Sequence, residues 1–295
     1  LMARSFGYAE STPNLMDLLL RLFVTDLSRS IRGALPPALQ HFVLPNRALA
    51  VNASVFVGQW RNNVTASAAY DTLSRRVARE LKIADQLGAL NSTALGDAMT
   101  FPDIEKVILR ELRDLVVAHP EDLKLAHVRD VIQRRRDGHW SSHAHRPDGS
   151  YGFRSGYDAI EAAAEMAAFK AEIGHGLSYA SAAEAVDAYL ATLYRFDQLY
   201  RHFHEAADEV ELAGWDVLKS LKDVVEATYS GWFIPTLASA WGPLLEGEHG
   251  LLKHWKAEKL PNQYRFFENS VEPVLDQSPR SKVFVVISDA FRYEA

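Results

Sequence analysis

The strongest candidate for chemistry is Asp289, which with Ser288 directly follows the apolar run Val283–Ile287. An unbroken run rich in β-branched residues is typical of a strand that is buried on both faces of a parallel sheet. Ligands of such sheets bind beyond the carboxyl ends of the strands, where a carboxylate can supply a hard oxygen ligand to a divalent metal. Two such metals can activate a nucleophile and stabilise a leaving oxygen. From position alone, a helix N-cap role for Asp289 is an equal alternative.

The wider string from Val283 to Glu294 reads VFVVISDAFRYE. It resembles the opening of the PglZ domain, in which an apolar strand is followed by Ser-Asp-Ala-x-Arg-Tyr-Glu. That family belongs to the alkaline phosphatase superfamily and occurs in bacterial BREX phage-defence systems. The stretch from Arg136 to Trp140 also resembles, more loosely, the region that precedes this domain in the type A proteins.

The resemblance implies that Asp289 is a metal ligand for zinc or another divalent ion. It also implies a metal-dependent phosphatase or phosphodiesterase, including a nuclease, with other BREX components as partners. The family's hydroxyl nucleophile and remaining ligands would follow residue 295, so no catalytic residue is assigned within the chain. We expect the chain to be the N-terminal or middle fragment of a longer protein, and to be inactive alone because one ligand cannot assemble a binuclear site.

Arg292 offers a weaker site. Its guanidinium fork suits phosphate oxygens, but an ion pair with Glu294 explains its presence at least as well. A haloacid-dehalogenase-type site would instead use Asp289 as a nucleophile. That motif needs a second aspartate two residues later, and Phe291 stands there.

A second cluster combines three arginines with a tryptophan: Arg134, Arg135, Arg136 and Trp140. A basic patch with an aromatic side chain can contact a nucleic-acid backbone or base. The favoured alternative is that the arginines form a solvated helix end, which suits the negative helix pole, while Trp140 packs on the core. The nearby His139, His143 and His145 could bind a metal, but their segment reads as a loop without a matching carboxylate pattern.

Apolar residues at helical spacing dominate the rest of the chain. We predict a first helix from Leu15, capped by Ser11–Pro13 and ended by Gly33, then a connector at 34–50. Residues 55–60 fit a short helix or a strand, with helix favoured. Further predicted helices lie at 66–87, 104–115, 120–136, 156–173, 180–209 and 215–241, with a capping box from Thr100 to Asp103 and a kink or break at Pro235. An aromatic stripe from Tyr189 to Phe203 could line a cofactor or partner groove, but its spacing favours core packing.

The fold class predicted is mainly α, with a helical bundle-like region followed by the first strand of an α/β alkaline phosphatase-like domain. Residues 138–156 are rich in glycine, proline and serine, so we place a boundary there. The predicted units are a helical subdomain at 1–140, a second at 150–270, and the start of the phosphatase-like domain at 280–295.

Composition limits the function classes. The formal net charge of −6 argues against a protein coated in basic charge for nucleic acid. The absence of cysteine excludes disulfides and thiolate zinc sites. With no signal peptide and no apolar run long enough to span a bilayer, we expect a soluble cytoplasmic protein. The rival function is a non-enzymatic helical module that binds proteins or DNA.

Overall fold

The computed structural model describes residues 2–141, 153–174, 176–212, 215–246, 250–254, 262–287 and 292–294. It is 70% helical, and the described ranges contain no strand. The predicted mainly α class is therefore confirmed.

The helices are numbered in chain order. The first nine are α1 (Met2–Phe6), α2 (Leu15–Ser30), α3 (Pro37–Gln40), α4 (Arg47–Arg61), α5 (Ser67–Glu80), α6 (Ile83–Leu87), α7 (Ser92–Leu95), α8 (Asp103–Ala118) and α9 (Leu125–Arg136). The others are α10 (Arg154–Ile173), α11 (Ala182–Ala188), α12 (Tyr194–Leu212), α13 (Lys219–Thr228), α14 (Ile234–Glu246), α15 (Leu251–His254) and α16 (Glu272–Leu275). Turns of π-helix occupy Tyr189–Leu193, Tyr229–Phe233 and Phe267–Val271, and a 3-10 turn occupies Gln263–Arg265.

Several helix starts differ from prediction. The cap of α2 is Asn14, whose side chain accepts from the Met16 N–H at 2.7 Å, rather than Ser11. Asn46 likewise caps α4, so this helix begins inside the predicted connector. Both residues satisfy backbone donors that the first helical turn leaves unpaired.

Three other local predictions were wrong. The single helix predicted at 66–87 is broken where Lys82 adopts a left-handed conformation with φ of 50°. The predicted capping box does not form, because the Thr100 hydroxyl donates instead to the buried Asp26 at 2.7 Å. Similarly, α9 begins at Leu125 rather than at Pro120.

Helix α10 lies at the centre of the packing and contacts α8, α9, α12 and α13. Its buried face is rich in alanine, including Ala159, Ala163 and Ala167, and short side chains let neighbouring helices approach closely. The buried apolar residues form one cluster that extends from Tyr8 to Phe233. The two predicted helical units thus share a core, and their division at 138–156 stays a prediction.

Two segments in the C-terminal part of the chain concern earlier predictions, the helix around Pro235 and the apolar run before Ser288. Helix continues through Pro235, since α14 follows directly on the π-helical turn Tyr229–Phe233. Residues 281–287 have neither helix nor strand, and Phe284, Val286 and Ile287 are about nine-tenths exposed. The strand predicted here remains a prediction.

Candidate functional site

The predicted metal ligand Asp289 lies outside the described residues. Its neighbour Arg292 is described and is two-thirds exposed, with Nη1 3.7 Å from Oε1 of Glu294. The structure therefore contains the ion pair that was the alternative to phosphate binding. Within the described ranges, no group of three or more histidine, aspartate or glutamate side chains could hold a metal ion. These residues do not by themselves form a metal centre.

Arg135 was predicted to lie on the surface, and this was wrong because its side chain is fully buried. It forms an ion pair with Glu105, and its Nη1 donates to the carbonyl oxygens of Gly96 at 3.1 Å and Ala98 at 2.8 Å. The Tyr157 hydroxyl donates to the same Glu105 carboxylate at 2.6 Å. Burial lowers the pKa of the Arg135 guanidinium, but the adjacent Glu105 carboxylate outweighs this and holds that pKa above its usual value.

The other members of the predicted basic cluster also have protein partners. Trp140 is buried, and its Nε1 donates to the Met99 carbonyl oxygen at 2.9 Å. Arg136 pairs with Asp158 at 2.8 Å and with Glu161. Arg134 is exposed and pairs with Asp130 one turn earlier. The four residues therefore do not make one surface patch. Trp140 packs in the core, as the favoured alternative expected.

Of the three histidines considered as metal ligands, His139 is among the described residues. His139 Nε2 lies 2.6 Å from Oδ1 of Asp71, against the Trp140 ring, whereas His143 and His145 lie outside the described residues. The structure thus gives His139 a carboxylate partner within the fold.

A cluster that the sequence did not reveal joins two π-helical turns. Each turn begins with a tyrosine, Tyr189 in one and Tyr229 in the other. The Tyr189 hydroxyl donates to Oδ2 of Asp197 at 2.7 Å, and the Tyr229 hydroxyl donates to Oδ1. Single π-helical turns occur frequently at functional sites. We call Tyr189, Asp197 and Tyr229 the tyrosine–aspartate cluster.

Neighbouring residues extend this hydrogen-bond network. The Tyr200 ring stacks on Tyr229 with centroids 4.0 Å apart, and its hydroxyl donates to Glu226 at 2.8 Å. The Ser230 hydroxyl and His204 Nε2 also contact the Glu226 carboxylate, at 2.9 and 3.2 Å. The predicted core stripe from Tyr189 to Phe203 is accordingly divided. Its buried members are Leu193, Phe196, Leu199 and Phe203, whereas Tyr189 and Tyr200 donate to acidic partners at the edge of the core.

Electrostatics keep these groups in complementary protonation states. Partial burial raises the pKa of both Tyr189 and Tyr229. The hydrogen bond that each phenol donates to Asp197 raises it further, as does the charge of Asp197. Partial burial would raise the pKa of Glu226, but hydrogen bonds from Tyr200 and Ser230 lower it overall. The tyrosines therefore stay neutral and act as hydrogen-bond donors near neutral pH.

The last described residues of the chain contact this region. The Tyr293 ring meets that of Tyr194 edge-on at 5.4 Å, and its hydroxyl donates to the Leu190 carbonyl oxygen at 3.2 Å. Gln198 Nε2 donates to the Glu294 carbonyl oxygen at 3.3 Å, and Glu294 is buried. The Arg-Tyr-Glu string was visible in the sequence, but nothing there identified its contacts roughly a hundred residues upstream.

A groove of about 400 Å³ runs between α10 and α12. Its polar lining is mostly acidic: Asp158, Glu161, Glu165, Glu205 and Glu209, with Arg136, Ser155 and His202. Arg136 pairs with two of these carboxylates. The groove therefore has partly compensated charge.

Comparison with known proteins gives two relatives that match the whole chain. The chain is 30% identical over 294 residues to an alkaline phosphatase-like protein BrxZ of Escherichia coli O9:H4 (strain HS). It is 27% identical over 298 residues to an alkaline phosphatase-like protein PglZ of Bacillus cereus (strain H3081.97). Similarity to both relatives over the whole chain supports a PglZ-domain protein. The chain spans about a third of the length of these PglZ-type relatives, 33% and 32% respectively.

The other two comparisons found no match. No family model matches the chain, and no solved structure gives a significant match. Among the helices that the structure describes, none combines the length and apolar character needed to cross a bilayer.

Proposed function

We propose that this chain is the front part of a metal-dependent phosphatase or phosphodiesterase of a bacterial phage-defence system. The observation that supports this most strongly is the match of the whole chain to two alkaline phosphatase-like relatives. The Ser-Asp-Ala-Phe-Arg-Tyr-Glu string at 288–294 adds to this support, because its specific residue pattern resembles the opening of the PglZ domain.

In this proposal Asp289 supplies one oxygen ligand to zinc or another divalent ion. Further ligands and the nucleophile come from the part of the protein that its relatives possess beyond this region. A divalent metal would supply a Lewis acid and a nucleophile of lowered pKa. The helical region binds or regulates other components of the BREX system.

Hydrolysis by the complete protein tests the proposal. The assay would use p-nitrophenyl phosphate and bis(p-nitrophenyl) phosphate, after chelation and after return of Zn²⁺, Mn²⁺ or Mg²⁺. We expect metal-dependent hydrolysis that Asp289→Ala reduces by on the order of a hundredfold or more, because loss of even an outer-shell partner of a metal ligand costs tenfold to a hundredfold.

The matched control is Asp276→Ala, which removes an exposed aspartate from the same part of the chain. It should leave the rate unchanged. If Asp289→Ala hydrolyses as fast as the unmodified protein, the ligand role is refuted. Unchanged phage resistance in cells carrying Asp289→Ala would favour the non-enzymatic binding module instead.

A further inference from the structure

We propose that the tyrosine–aspartate cluster and the start of α12 form an intramolecular docking site for Arg292–Glu294, which positions the segment carrying Asp289 relative to the helical region. Tyr293 and Glu294 are then positioning residues rather than catalytic ones. The docking itself stands on the contacts in the structure, whereas its consequence for catalysis rests on the proposed function.

The first support is that three kinds of contact hold the segment. Tyr293 combines an edge-on ring contact with Tyr194 and a hydroxyl hydrogen bond to the carbonyl of Leu190, which lies in the first π-helical turn. The main-chain carbonyl oxygen of Glu294 accepts a hydrogen bond from the side-chain Nε2 of Gln198, the immediate neighbour of Asp197. Ring, hydroxyl and backbone contacts to the same helix end fix orientation as well as position.

The second support is the change in burial along the chain. Residues 284–287 are exposed, and Phe284, Val286 and Ile287 have about nine-tenths of their surface accessible. Glu294 is only 5% exposed. The burial of Glu294 therefore shows that the segment leaves solvent and packs against the helical region.

The third support is the charge arrangement. Arg292 Nη1 lies 3.7 Å from Oε1 of Glu294, and this oxygen has no hydrogen-bond donor within the described part of the chain. The charges of Arg292 and Glu294 both act on the phenol of Tyr189, and that of Arg292 also acts on Tyr229. The arginine of the string thus compensates its buried glutamate while lying beside both π-helical turns.

Chain connectivity links this docking to the predicted ligand. Asp289 lies three residues before Arg292, and three residues span at most about 11 Å in any conformation. The docked segment is therefore only a short stretch of chain away from the predicted ligand, which is what the proposed positioning role requires. Tight restriction of a metal ligand matters because small displacements of reacting groups are costly.

Hydrogen exchange in the complete protein tests the docking without any activity. Tyr293→Ala removes the ring contacts with Tyr189 and Tyr194 and the hydroxyl hydrogen bond. We therefore expect exchange at residues 189–198 to accelerate by about tenfold. Tyr293→Phe keeps the ring and should recover most of the protection. The control Tyr264→Ala removes a tyrosine that is three-quarters exposed and should change nothing there. Identical exchange in Tyr293→Ala and in the control would refute the docking.

Metal titration of hydrolysis tests the positioning role. At saturating metal, Tyr293→Ala should leave KM for the substrate unchanged, while the apparent metal affinity falls about tenfold and Tyr293→Phe restores it. Unchanged metal affinity in Tyr293→Ala would refute positioning. If exchange responds as expected but no variant hydrolyses either substrate, the docking is supported and the proposed function fails.

Discussion

Two regions of this molecule pair tyrosine with a carboxylate in opposite surroundings. In the Glu105–Arg135–Tyr157 network, every side chain is fully buried and the acid faces a cation directly. In the tyrosine–aspartate cluster, the side chains are half-buried and the acid is held by two neutral phenols.

The two regions should respond differently when one of their side chains is removed. Inside the core, a lost partner leaves a charge with no access to water, which is expensive. At the edge of the core, solvent can replace a lost donor at modest cost. The buried network therefore fixes how α8, α9 and α10 pack, while the cluster can adjust to the segment that it contacts.

The largest effect should follow removal of the buried cation. Arg135→Met leaves the Glu105 carboxylate unpaired in the core, and we expect a loss of about 3–5 kcal/mol in the free energy of unfolding. Urea unfolding followed by circular dichroism would measure it.

The matched control for this variant is Arg134→Met, one residue earlier on the exposed face. An exposed pair contributes about 0–1 kcal/mol, so the control should unfold almost as the unmodified protein does. Equal losses in the two variants would show that Arg135 is not the buried half of an ion pair.

A smaller effect is expected from the phenol of the same network. Tyr157→Phe keeps the ring but removes the hydroxyl that donates to Glu105 at 2.6 Å. Because a buried acceptor then loses a donor, the free energy of unfolding should fall by about 1–3 kcal/mol. Tyr264→Phe, at an exposed position, should be neutral in the same urea titration, and a neutral Tyr157→Phe would indicate that water reaches Glu105.

The sequence predicted the helices better than it predicted these two regions. Periodicity identified α2, α8, α10 and α12 because each has an apolar stripe that faces the core. Periodicity reports which face is buried and says nothing about the partner across the contact. Arg135 was misplaced for this reason, since Glu105 is 30 residues away in the chain.

Local signals failed where geometry depends on a particular backbone. Asn14 rather than Ser11 caps α2, and the helix predicted at 66–87 breaks at Lys82. Both features depend on the path of the backbone, which amino-acid composition does not reveal. The two π-helical turns also have no periodic signature, because an i→i+5 turn interrupts the pattern for only one turn. The cluster that they form with Asp197 was therefore not predictable from spacing.

Removal of the cluster's acid should have a modest and local effect. Asp197→Ala takes the acceptor from both Tyr189 and Tyr229, and since these phenols can turn to water we expect a loss of about 1 kcal/mol. Hydrogen exchange should accelerate in residues 189–193 and 229–233. The exposed Asp187 on α11 gives the control Asp187→Ala. A core-wide increase in exchange would contradict the local role.

Alkaline titration of the tyrosines should have the smallest effect on stability near neutral pH, but it separates the two regions most clearly. Burial raises the pKa of the phenols of Tyr157, Tyr189 and Tyr229 above the ordinary value of 10.0. Above pH 10 the unfolded chain has lost protons that the folded chain retains, so stability should be complete below pH 10 and fall as the pH rises further.

The two regions should differ in how their tyrosines ionise after a jump to high pH, followed by phenolate absorbance. The half-buried Tyr189 and Tyr229 can reach solvent and should ionise in the folded protein, so Tyr189→Phe with Tyr229→Phe reduces the fast phase. Tyr157 is fully buried and should ionise only as the core opens, so Tyr157→Phe reduces the slow phase that accompanies unfolding. If Tyr157→Phe instead reduces the fast phase, the Glu105–Arg135–Tyr157 network is open to water and the contrast between the two regions fails.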